Sequence, residues 1–242
     1  MKSPLSAAKL LTLESVESTQ THAAQLVASG DRTIGAVHAI NQTGGQGRLG
    51  KTWFSEPGNS LTVSFVFYDY ANHPKPWLIG MAVGLAAAGA VHARISWPND
   101  LMLGGHKVGG ILTNLFDDGK GNRVPVVGVG INLHVEEFPA DLRDIAANID
   151  SPSRKQNDPV EVLHAIVERM TLLPEPDAFA DLSPVWRHFD ETPGKRYRLP
   201  NGDEAVGIAI GADGELICAV QGETTTIIAA EAILGPPIDA TR

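Results

Sequence analysis

A single cysteine, Cys218, is all the chain contains, so neither an internal disulfide nor a multi-cysteine zinc site is available to it. One isolated thiol reads as a small buried apolar residue rather than a reactive nucleophile. Basic residues are also short: 19 Lys and Arg stand against 28 Asp and Glu, a formal net charge of −9. A sequence-independent nucleic-acid binder needs a cationic surface to displace counterions, so nucleic acid is not expected as a partner. Arg48, Lys51, Arg94 and Lys107 remain as scattered material for a local basic patch. Long apolar runs are missing too. The longest uncharged stretch, Trp77 to Val91, is too short and too rich in Gly and Ala for a membrane span. The N-terminal apolar run is interrupted by Lys9 and Glu14 and has no good cleavage site, which leads us to expect a cytoplasmic protein. The eight histidines show no metal-ligand spacing.

What is present is ordinary for a folded domain: 43% hydrophobic and 19% charged residues over 242 positions. LLTLESV (10–16) reads as a strand, and Ser18-Thr19 opens a helix that runs to Ser29 and stops at Gly30. GAVHAI (35–40) is a short strand. SLTVSFVFY (60–68) alternates apolar and polar positions, as a half-buried strand does. Pro74 and Pro76 introduce a helix predicted over 77–94, and Pro98 ends any regular element after it. KVGGILTNLF and VPVVGVGINLHV read as two strands joined by DDGKGNR, whose Asp118-Gly119 is hairpin chemistry. Asp158-Pro159 caps a helix over 158–173, and a shorter helix is expected around AFADLSPVWRHF. From Gly194 onward, Asn201-Gly202 and Asp213-Gly214 punctuate short β-prone runs, EAVGIAI and ELICAV among them. The sum is an α+β fold, a mixed β-sheet flanked by helices, followed by a small β unit of about fifty residues.

The segment GGQGRLGKTW (44–53) contains G-x-G-x-x-G at Gly45, Gly47 and Gly50. A dinucleotide fingerprint needs a helix directly after those glycines. Here Glu56-Pro57-Gly58-Asn59 and then a strand follow instead, so a nicotinamide cofactor is excluded. No H-R-D or D-F-G element follows to make it a kinase loop.

Three further segments give the glycines a context: ESVESTQ (14–20), SWPNDLMLGGHKVGGIL (96–112) and VVGVGINL (126–133). Together with QTGGQGRLGKTW, in this order and at these separations, they resemble the biotin–protein ligase family (biotin–[carboxylase] ligases). The resemblance is carried by a Q-T…G-R-G-R-x-G-R-x-W loop, a K-W-P-N-D…K-x-x-G-I-L block and a G-x-G-I-N strand, and is strong over about residues 10–135. It implies a class II aminoacyl-tRNA synthetase/biotin ligase-like catalytic domain over 1–190 and an SH3-like β-barrel over 191–242. The implied activity joins biotin's carboxylate to the α-phosphate of ATP with loss of pyrophosphate. The biotinyl group is then transferred to one lysine of a biotin carboxyl carrier protein. Biotin, ATP, Mg²⁺ and that carrier are the implied ligands and partner, and the protein is expected as a monomer or weak homodimer. No room is left for the DNA-binding helix-turn-helix of some family members, and a repressor role is not expected.

Both substrates of the first step are anions, so a cationic loop and one placed amine suit the chemistry better than an acid–base pair. The resemblance puts Lys107 on the biotin carboxylate and the α-phosphate, and has Arg48 close over the adenylate. Ser18, Thr19, Gln20 and Gln42 match positions that bind biotin's ureido ring, with Gly45, Gln46, Gly47 and Gly110 beside them. Lys51, Trp53, Asn99 and Asn132 match nucleotide contacts, and Asp100 a Mg²⁺ ligand. Bland readings stand next to these. Ser18 is also an N-cap, Trp53 a core indole, Gly110 a strand-entry glycine, Asn132 a strand-end cap and Asp100 a turn residue. The chain departs from the family pattern at Gln46 and Ser96, where basic residues are usual, and at Lys51, which replaces an arginine. The competing readings are a lipoate or octanoate ligase or transferase, and a non-catalytic biotin-binding module.

Overall fold

The computed structural model describes residues 1–151, 157–199 and 202–227. Its first strand, β1 (Lys9–Val16), runs into α1 (Thr19–Ser29) and returns as β2 (Ile34–Gln42), parallel to β1. A strand–helix–strand crossover is what parallel neighbours require. Both ends of α1 are those the sequence predicts. Ser18 accepts from the Thr21 amide at 3.4 Å, and Gly30, left-handed at φ 73°, donates to Leu26 and Val27 carbonyls.

The glycine segment contributes two short strands, β3 (Gly45–Gln46) and β4 (Thr52–Trp53). Then β5 (Ser60–Val66), β6 (Arg94–Ser96), β7 (Asp100–Leu103), β8 (His106–Asp117) and β9 (Arg123–Asn132) complete a seven-stranded sheet ordered β1-β2-β5-β9-β8-β7-β6. All its pairs other than β1–β2 are antiparallel. The expected hairpin between β8 and β9 is there, turning at Gly119, φ 72°.

Three expectations are corrected. The helix predicted over 77–94 is α2 (Pro76–Val91); His92 turns left-handed at φ 55°, and Arg94 already belongs to β6. Asp100–Leu103 is a strand, reached through the cis Trp97-Pro98 bond and left through the positive-φ pair Gly104-Gly105, not part of a turn. Finally, β5 is buried at every residue, not half-buried. Leu61, Val63 and Phe65 join the core under α2, while Thr62 and Ser64 face a cavity rather than solvent, Ser64 against the N-terminus of α1, and Ser60 accepts from the Glu56 amide at 3.1 Å.

The main core lies between the sheet and α2, α3 (Pro159–Leu172) and α4 (Phe179–Phe189). α2 is apolar nearly all round, which suits a helix wrapped by a sheet and two other helices. Asp158 caps α3 as expected, accepting from Val160 and Glu161 amides. A smaller core joins Ala23 and Val27 of α1 to Val37, Val66, Val124 and Val126 on the opposite face.

The C-terminal part forms an antiparallel sheet of β10 (Arg196–Arg198), β11 (Glu204–Ile210), β12 (Leu216–Val220) and β13 (Glu223–Ile227), a four-stranded order among the described residues. Asn201, half of one expected turn, lies outside them. Trp97 and Trp77 donate their indole N–H groups to the Gly214 and Asp213 carbonyls at 2.9 and 2.8 Å, fastening this sheet to the first. Cys218 is fully buried there, and burial pushes its thiol pKa up, as suits an inert packing residue. Among the described residues no helix is long and apolar enough to cross a membrane.

Candidate active site

A cavity of about 580 Å³ lies over the centre of the large sheet. Its floor is β5, β9 and β8, one end is the start of α1, and the glycine segment roofs it. That segment is a two-stranded hairpin of β3 and β4, with a 3-10 turn over Arg48–Gly50 at its tip. Gly50 takes φ 73° there, a conformation that other residues rarely adopt.

Every residue proposed from the sequence lines the cavity except Gly45. Gly45 holds the hairpin shut from behind: a Cβ there would lie 2.4 Å from the Trp53 carbonyl oxygen and 2.7 Å from Gln42 Nε2. The polar end is a connected chain. The Thr19 amide donates to Gln42 Oε1 at 2.9 Å, and the Thr19 hydroxyl meets Ser64 Oγ at 2.9 Å. Ser64 donates to Gln20 Oε1 at 2.7 Å, and Gln20 Nε2 donates to Asn114 Oδ1 and the Val126 carbonyl. Such a chain presents fixed donors and acceptors to a neutral polar ring. Ser18 caps α1 and lines the cavity, so its two readings coexist.

The cationic end gathers around Lys107. Its ammonium pairs with Asp100 Oδ1 at 2.6 Å and lies 5.9 Å from the centre of the Trp53 ring. Its backbone is gripped as well: Lys107 N–H donates to the Ile145 carbonyl at 2.8 Å, and the Ala147 N–H to the Lys107 carbonyl at 2.9 Å. Asn132 Nδ2 reaches the Ala147 carbonyl at 3.2 Å and steadies the same segment. Arg48 donates from Nη1 to Asn99 Oδ1 at 2.9 Å, and Asn99 in turn donates to the Ile111 carbonyl. Burial lowers the Arg48 pKa and the nearby Asp100 carboxylate raises it again; a guanidinium stays charged under both. Gln46, where the family pattern has arginine, is exposed and reaches Thr21 Oγ1 at 3.3 Å.

Several lining residues escaped the sequence reading. Gly130 is the clearest: a Cβ there would fall 2.4 Å from Trp53 Cε2, because the indole lies directly on that glycine. Gly128 similarly makes room for Gln20 Oε1, 2.9 Å from where its Cβ would sit. Their spacing of two on one strand was the available signal, since both face the same side. Gly110 also faces Trp53 and Lys107, but a Cβ there would meet both at an ordinary 3.5 Å. Thr62 and Ser64 were visible as alternation and misassigned to solvent. Phe138, which packs on Phe54 with ring centres 6.5 Å apart, and Asp141 come from a segment without any periodicity. Tyr197 arrives from β10.

The carboxylates on the cavity wall are Asp100, engaged by Lys107, and Asp141. No group of three or more metal-ligating side chains exists among the described residues. Mg²⁺ asks for only one or two carboxylates when phosphates and water complete its shell, so this donor set fits an ion carried in on phosphate.

Residues 12–132 match the model of the biotin/lipoate A/B protein ligase family. The chain is 28% identical over 250 aligned positions to the bifunctional ligase/repressor BirA of Bacillus spizizenii, covering 97% of this chain and 77% of that one. It is 27% identical to the biotin–[acetyl-CoA-carboxylase] ligase of Mycobacterium tuberculosis, covering 81% and 77%. Matches to BirA of Bacillus subtilis and of Escherichia coli span 54% and 63% of those proteins. Among solved structures, a biotin protein ligase from Aquifex aeolicus in complex with biotin and ATP superposes with a TM-score of 0.67 at 24% identity, covering 92% of this chain and 97% of the other. That likeness establishes a common fold.

Proposed function

Because the chain belongs to the biotin/lipoate A/B protein ligase family, we propose that it activates biotin with ATP and passes the biotinyl group to a lysine of a carrier protein. One observation carries this reading: a single cavity has a neutral polar chain at one end and Lys107 with Arg48 at the other. Biotin has those same two ends, a ureido ring and a carboxylate. The relatives named above as biotin ligases, and the Aquifex structure holding biotin and ATP, support the choice of substrates.

In the first step a biotin carboxylate oxygen attacks the α-phosphorus, forming the mixed anhydride and expelling pyrophosphate. Lys107 would leave Asp100 to bridge the carboxylate and the α-phosphate, where negative charge crowds in the transition state. Arg48, already folded over the cavity on Asn99, would hold the phosphate from above. In the second step the acceptor amine attacks the acyl carbon, AMP departs and the amine loses a proton. Trp53, flat on Gly130, would wall the intermediate from water. Mg²⁺, when bound, would supply charge neutralisation on the phosphates, and Asp100, released by Lys107, is the residue that would hold it. In this reading residues 1–190 form the catalytic domain and 191–242 the C-terminal unit.

The test is exchange of labelled pyrophosphate into ATP. Exchange that depends on biotin is the expected result. Exchange that answers to lipoate instead transfers the site to the other branch of the family, and no exchange with either makes it a binding module.

A further inference from the structure

The hydrogen bonds at the polar end of the cavity run in one direction, and Gln20 sets it. Gln20, on α1, is buried, and both protons of its Nε2 are committed inside the protein: one to the Val126 carbonyl at 3.0 Å, the other to Asn114 Oδ1 at 3.1 Å. A backbone carbonyl only accepts, so the amide cannot be turned round without facing oxygen to oxygen at Val126. Oε1 is thereby fixed toward Ser64 Oγ, 2.7 Å away.

An amide oxygen also only accepts, so Ser64 gives its single proton to Gln20 and meets Thr19 as an acceptor. Ser64 is fully buried, so it acts through this neighbour. Thr19 Oγ1 then has acceptors on two sides, Ser64 Oγ at 2.9 Å and Gln42 Oε1 at 3.1 Å. Thr19 is 4% exposed and lines the cavity. With its one proton drawn inward, what its hydroxyl offers a ligand is a lone pair.

We propose that Gln20 is a positioning residue: it binds no ligand itself, and through Ser64 it fixes Thr19 as the acceptor for an N–H of the ring held at this end. The inference rests on the ligase reading above for biotin, whose ureido ring carries two N–H groups. The contact with the ring that the resemblance implies for Gln20 passes to Thr19.

Gln20→Glu and Gln20→Met separate this role from packing. Both remove the amide's NH2 group, but glutamate, ionised or protonated, still turns an oxygen to Ser64, and methionine does not. By calorimetry on the full chain, Gln20→Met is expected to weaken biotin about tenfold and Gln20→Glu by no more than about twofold. Affinity for a non-hydrolysable ATP analogue is expected to hold in both. A purely structural role predicts the opposite order, since a carboxyl group buried against the Val126 carbonyl disrupts more than a thioether. A loss of biotin affinity in Gln20→Glu as large as that in Gln20→Met therefore overturns the proposal, as does an unchanged affinity in Gln20→Met. Ser64→Ala removes the relay and leaves the donors of Gln20 in place, so an unchanged biotin affinity there overturns it whatever the folding of the Gln20 variants. In a Ser64→Ala background, Gln20→Met is expected to add no more than about a twofold loss; multiplied losses put Gln20 on the ring directly and overturn the relay. A parent that binds biotin without exchange fails the ligase reading while these affinities still decide the role of Gln20; a parent that binds lipoate and not biotin sinks both.

Discussion

The floor of the cavity is made of strands laddered to neighbours on both edges, while its roof is a hairpin of two-residue strands closed by one 3-10 turn. In the floor, Thr62, Ser64, Gly128 and Gly130 sit on β5 and β9, held by the central ladders of the sheet. Opening the roof breaks few backbone hydrogen bonds, so its opening free energy lies at the low end for this molecule. The floor is thus suited to recognising a rigid ring, and the roof to admitting ligands and then covering them. The two meet at Trp53 on Gly130 and at Lys107 under Trp53.

The sharpest break of this comparison is at the meeting point. Lys107→Ala is expected to lower biotin-dependent exchange by at least about a hundredfold, with a thermal midpoint close to the parent's, since the side chain is 35% exposed. Near-normal turnover would take Lys107 out of the chemistry. Arg48→Gly damages only the roof. The intermediate is expected to escape early and label bystander lysines, which mass spectrometry of a mixed-protein reaction would detect; labelling confined to one acceptor would contradict the covering role. Gly130→Ala pushes floor against roof. Overpacking predicts a loss of about 1–3 kcal/mol in stability and a shift in tryptophan fluorescence as Trp53 is displaced. Ser64→Ala cuts the polar chain within the floor, leaving Gln20 Oε1 short of a donor. About 1–3 kcal/mol of biotin affinity is expected to go, with the KM for ATP unmoved. The smallest effect belongs to Gln46→Arg, which adds an exposed cation at the roof's edge and is expected to tighten nucleotide or biotin binding by less than about 1 kcal/mol.

Much of the floor was legible because its signals are local. Ser18 and Gly30 bound α1 by capping chemistry, and Asp118-Gly119 turns β8 into β9 as its residue types require. The polar positions of β5 were legible as alternation but not as to what they face, since period two has the same form beside water and beside a cavity. The end of α2 was overshot because Ala93, Arg94 and Ile95 carry no breaker. The left-handed turn at His92 is imposed by the chain's entry into β6. Of the site, the segments with internal pattern were found, and those whose role comes from long-range placement were not. Phe138 and Asp141 lie on irregular chain, and Tyr197 lies some ninety residues beyond Lys107, brought to the cavity by sheet packing alone.

The carbonyls of Asp213 and Gly214, holding the indoles of Trp77 and Trp97, have a consequence for how the molecule fails when heated. Trp97 immediately precedes the turn that delivers Asn99 and Asp100, so melting of the lesser sheet would slacken that turn while the seven strands still stand. Activity is then expected to fade several degrees before far-ultraviolet circular dichroism registers collapse.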